Sequence, residues 1–67
     1  MVLQSCRITL TNQNIFICQS VEHSIGLLET EINNGISKVK IDASDGYEIH
    51  SYHFDSIEES IESLMNL

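Results

Sequence analysis

The stretch Ser20-Val21-Glu22-His23-Ser24-Ile25-Gly26-Leu27-Leu28 recurs without gaps as Ser56-Ile57-Glu58-Glu59-Ser60-Ile61-Glu62-Ser63-Leu64, with Ser, Glu, Ser, Ile and Leu at matching places. Self-similarity of this kind points to a fold made of two like units that share one core. It reads either as a duplication or as two like solutions to starting an amphipathic helix. Each copy follows a pair of strand-like runs, so residues 1–67 read as a single domain built from two β-β-α units.

In the first unit, Arg7 to Thr11 alternates and Asn14 to Cys18 resumes strand chemistry after Asn12-Gln13, which reads as a hairpin. A two-residue turn pairs Leu10 with Ile15 and Ile8 with Ile17. It leaves Arg7, Thr9, Phe16 and Cys18 on the other face; a one-residue change in the turn flips one strand against its partner. In the second unit, Ser44-Asp45-Gly46 reads as a three-residue hairpin loop that pairs Ala43 with Tyr47 and Ile41 with Ile49. Lys38, Lys40, Glu48, His50, Tyr52 and Phe54 then share the opposite face.

Val21, Ile25, Leu28 and Ile32 form one helical stripe, capped by Ser20 and closed by Asn33-Asn34-Gly35. The last helix starts at Asp55 with Glu58 in a capping box and turns Ile57, Ile61 and Leu64 inward. Together these elements predict an α+β chain, ββαββα, with a four-stranded sheet and both helices on one face. If strands two and four are central and parallel, the order is 1-2-4-3, a circular permutation of the ferredoxin-like split β-α-β. The expected core is Ile15, Ile17, Ile25, Leu28, Ile41, Ile49, Ile57 and Ile61.

Ten acidic residues against three Lys and Arg give a net charge of −7, which opposes the phosphate neutralisation that drives nucleic-acid and anionic-membrane binding. Cys6 and Cys18 fall short of a disulfide framework, and Met1 to Arg7 has neither a basic leader nor an apolar core, so the chain reads as cytoplasmic with free thiols. No metal or cofactor is expected. His50 and His53, three apart on a strand, point to opposite faces and cannot join Cys6, Cys18 and His23 in one zinc site. Asp42 to Glu48 has Ile41 where a calcium loop needs its first Asp. Cys18 and His50 lie near each other only if strands two and four are neighbours, and an acidic chain does not lower a thiol pKa. The protein is therefore expected not to be an enzyme.

Two surfaces remain. Asp55, Glu58, Glu59 and Glu62 form an unneutralised stripe on the last helix, with Cβ spacings of about 5–6 Å that permit phosphate mimicry toward a basic partner. The sheet face away from the helices is expected to collect Phe16, Tyr52 and Phe54 with Arg7, Lys38 and Lys40, as a homodimer or partner contact. The stretch from Ile8-Thr9-Leu10-Thr11-Asn12 to Ser20-Val21-Glu22 resembles the strand-turn-strand-helix segment of small bacterial flagellar FlbD-type proteins. Gln13 replaces their turn glycine, and the resemblance ends within the first unit. The leading expectation is a non-enzymatic protein-binding module, a small acidic inhibitor or adaptor of phage or mobile-element type. The alternative is single-stranded nucleic-acid binding through an aromatic sheet face.

Overall fold

Strands β1 (Val2–Leu10) and β3 (Ile36–Ser44) are nine residues each and carry the inward residues Cys6, Ile8, Leu10, Val39, Ile41 and Ala43, all buried. Their shorter companions are β2 (Ile15–Cys18) and β4 (Ile49–Phe54). Helix α1 (Val21–Thr30) runs on into a 3-10 turn, Glu31–Asn34, and α2 (Ile57–Met65) follows β4. The computed structural model describes the backbone of residues 1–67 and every side chain except that of Ile32, whose expected inward position lies outside the described residues.

The chain is thus α+β, with two helices and one open, four-stranded antiparallel sheet ordered β2-β1-β3-β4. The expected order 1-2-4-3 with a parallel central pair is corrected. The two long strands occupy the centre, where both backbone edges are paired, and the short strands take the edges. In the β1–β3 seam Cys6 faces Ile41, Arg7 faces Lys40 and Ile8 faces Val39. This pairing is that of a local two-fold axis through the Arg7–Lys40 pair, which exchanges Cys6 with Val39 and Ile8 with Ile41.

The helices obey the same relation. Ser20 Oγ accepts from His23 N (3.1 Å) and Ser56 Oγ accepts from Glu59 N (3.4 Å), so the second cap is Ser56 rather than Asp55. One turn on, the hydroxyls of Ser24 and Ser60 each donate to the carbonyl of that cap residue at 2.7 Å. This bond satisfies the hydroxyl and lets both serines be fully buried, where their small size brings helix and sheet close. Leu28 and Leu64, a further turn on, complete the buried stripe. Helix α1 lies against β1 and β2, α2 against β3 and β4, and the two helices touch.

Both hairpins differ from expectation by an odd number of residues, which turns an edge strand over. The first has a three-residue loop: Gln13 N donates to Leu10 O (3.0 Å), Leu10 N donates to Asn14 O (2.8 Å), and Gln13 takes φ 74°. This is the type I turn plus left-handed residue of three-residue hairpins, and it pairs Ile8 with Phe16. The second loop runs from Asp45 to Glu48. The Asp45 carboxylate accepts from the N–H groups of Tyr47 and Glu48, both at 2.8 Å, and Gly46 takes φ 99°. Ile41 then faces Tyr52.

In consequence Phe16, Tyr52 and Phe54 lie on the helix-covered side, half-buried against the core. Ile15, Ile17 and Ile49, expected inside, are 54%, 61% and 63% exposed. Leu28 and Ile41 are buried as expected, and Ile25, Ile57 and Ile61 pack against the core from the helices.

Candidate functional site

Alternation from the buried positions places Arg7 and Thr9 of β1, Ile15 and Ile17 of β2, Lys38 and Lys40 of β3 and His53 of β4 on the uncovered side of the sheet. Ile17, Arg7, Lys40 and His53 form one row across all four strands. All three Lys and Arg residues of the chain stand on this face, as the sequence indicates. The aromatic rings expected beside them do not.

The central feature is the direct opposition of Arg7 and Lys40. Like charges facing each other across a strand pair repel. Lys40 has partial relief from Asp42, whose Oδ1 lies 4.0 Å from its Nζ. That carboxylate is already held by the hydroxyls of Ser51 and Ser5, the latter donating at 3.2 Å. The Ser51 hydrogen bond, chiefly, holds the Asp42 carboxyl below the usual range, with Lys40 adding to the effect. Among the described residues Arg7 and Lys38 have no carboxylate within ion-pair distance. A shallow hollow on this face is lined by Arg7, Lys38, Lys40, His53, Ile15 and Asp55, among others.

The acidic stripe is divided by the structure. Glu58, Glu59 and Glu62 are exposed on α2, whereas Asp55 precedes the helix and stands at the rim of the cationic hollow. The two surfaces singled out in the sequence are therefore opposite in sign and on opposite sides of the sheet. The Arg7–Lys40 pair was not foreseen. Its signal was the alternation of both long strands, which placed each cation outward but could not say that the two strands are neighbours.

Residues of nucleophilic character are placed otherwise. Cys18 on β2 and His50 on β4 are at opposite edges of the sheet. Cys6 and Cys18 face each other as free, buried thiols, and burial pushes the Cys6 thiol up despite a hydrogen bond with Ser24. Their two-fold counterparts are Val39 and Phe54, which marks the cysteines as packing residues. His50 Nε2 meets Asp45 Oδ2 at 2.9 Å. The N–H of Glu48, then His50, then the N–H of Tyr47 hold the Asp45 carboxyl well below its ordinary value, so both its oxygens serve the turn.

Comparison with protein-family models, with curated proteins and with solved structures finds no match to this chain. Among the described residues no helix is long and apolar enough to cross a membrane.

Proposed function

We propose that this chain is a non-enzymatic protein-binding module. The observation that carries the reading is the uneven distribution of charge: the three Lys and Arg residues outnumber the strand carboxylate Asp42 on the uncovered sheet face, and Glu58, Glu59 and Glu62 stand exposed on α2. Complementary charge steers encounter and rejects wrong partners, so a small surface with two faces of opposite sign suits recognition by contact. Use of the acidic helix against a basic site, in the manner of an inhibitor or adaptor, belongs to the same reading. The nucleic-acid alternative loses its stacking platform, since Phe16, Tyr52 and Phe54 face the helices.

The test is affinity capture from the native host with the parent chain, with R7Q/K40Q and with E58Q/E59Q/E62Q, identified by mass spectrometry. A protein held directly by the parent, and released by one of the two charge variants, is the expected result. Capture of nucleic acid that carries every co-purifying protein, abolished by nuclease, would overturn the reading.

A further inference from the structure

We infer that the uncovered sheet face seats an acidic segment of a protein partner, with one carboxylate bridging Arg7 and Lys40 and apolar side chains beside it covering Ile15 and Ile17. The inference rests on the protein-binding reading and names the chemistry of one partner. Directly opposed residues of an antiparallel pair have Cα atoms about 4.5–5.5 Å apart, so both side chains can reach a single carboxylate. The guanidinium offers a planar fork to its two oxygens and the ammonium a point charge. Such a group converts the repulsion between Arg7 and Lys40 into two attractions. Asp42 does not already do this, because its oxygens accept from Ser5 and Ser51 and its ion-pair distance is to Lys40.

The rest of the face selects the kind of anion. Ile15 and Ile17, on the strand beside Arg7, are more than half exposed and match apolar neighbours of the carboxylate rather than sugars and phosphates. Phe16, Tyr52 and Phe54 lie on the covered side, so among the described residues of this face His53 is the single ring on which an unpaired base could stack, too little for a platform. A second copy laid face to face would bring one Arg7–Lys40 pair against another, which charge disfavours. A second copy contributing its acidic α2 instead would make a head-to-tail contact, which builds rings or filaments and shows as concentration-dependent self-association.

The experiment is a titration of the isotope-labelled chain followed by amide NMR, with four probes: an extended peptide alternating Glu with Leu, its Gln and Lys analogues, and an oligothymidylate. The Glu peptide is expected to shift the amides of Arg7, Thr9, Ile15, Ile17 and Lys40, and to bind at least tenfold tighter than the Gln peptide. R7Q/K40Q should lose that preference while keeping the fold. R7E/K40E, which keeps the like-charge opposition but inverts its sign, should prefer the Lys peptide. Equal binding of the Glu and Gln peptides, stronger shifts of the same amides by the oligothymidylate, or concentration-dependent self-association that excludes the peptide would each overturn the inference. A native partner captured equally by the parent and R7Q/K40Q, but lost by E58Q/E59Q/E62Q, would overturn it while leaving the protein-binding reading intact.

Discussion

Under the two-fold relation Phe16 takes the place of Tyr52, Cys18 that of Phe54, Cys6 that of Val39 and Ile8 that of Ile41, so on the covered side the two units differ in volume more than in character. The uncovered side is different. Ile15 and Ile17 stand where the second unit has Ser51 and His53, and the two turns share neither length nor chemistry. The core constrains both units to one solution because each must fill the same space under a helix. The open face, free of that demand, has diverged, with isoleucines at the β2 positions that correspond to Ser51 and His53 of β4. Asymmetry in an otherwise symmetric molecule therefore marks the surface where function is to be sought.

The largest expected effect tests the likeness of the units. Leu28→Ala and Leu64→Ala each remove a fully buried side chain and should each cost about 2–5 kcal/mol, measured by urea unfolding. A cost for one several times that for the other would break the equivalence. Next, Ser24→Val and Ser60→Val add bulk at fully buried positions and lose the hydroxyl bond, for about 1–3 kcal/mol each by the same measurement.

The differences between the units give smaller effects. Gln13→Gly should stabilise by about 1 kcal/mol, because Gln13 is held at a positive φ that glycine adopts without a Cβ clash. Arg7→Gln or Lys40→Gln should raise the stability slightly, by about 0.2–1 kcal/mol in urea unfolding, since each relieves the opposed charges; a loss of stability would show that the cations are structural. The smallest is confined to acid. Folding lowers the Asp42 carboxyl below its ordinary 3.8, so its contribution is present above that pH and is lost as pH falls through the folded value. The stability difference between the parent and Asp42→Asn should accordingly shrink on acidification below pH 3.8.

Much of the fold was legible. The repeat, the Ser20 cap, the buried stripe through Leu28 and Leu64, and the outward cations follow from spacing alone. What failed was parity. Whether a loop has two residues or three depends on whether Gln13 accepts a left-handed backbone, and nothing in Asn12-Gln13 announces it. The second loop depends on the Asp45 carboxylate collecting two N–H groups, a local bond that competes with Gly46-based expectations. The first odd-numbered error exchanged Phe16 for Ile15 and Ile17, and the second exchanged Tyr52 and Phe54 for Ile49. Strand order failed for a separate reason: adjacency of β1 and β3 is decided by which strands are long enough to need two neighbours, a property of the assembled sheet.

The seam between the two central strands also sets the order of events as the chain folds. Ser5 and Asp42, joined across it, are 37 positions apart in sequence, whereas each hairpin closes over a handful of residues. Hairpins form in about 1–10 μs, and a seam of distant partners must meet the entropy of closing a long loop before any of its contacts reward it. The rate is thus carried by β1 meeting β3. Ile8→Val and Val39→Ala should slow folding in stopped-flow mixing, while changes in either turn act mainly on unfolding. Neither half has a complete sheet until the other arrives, so the repeat that makes the halves alike also makes them kinetically dependent on one another.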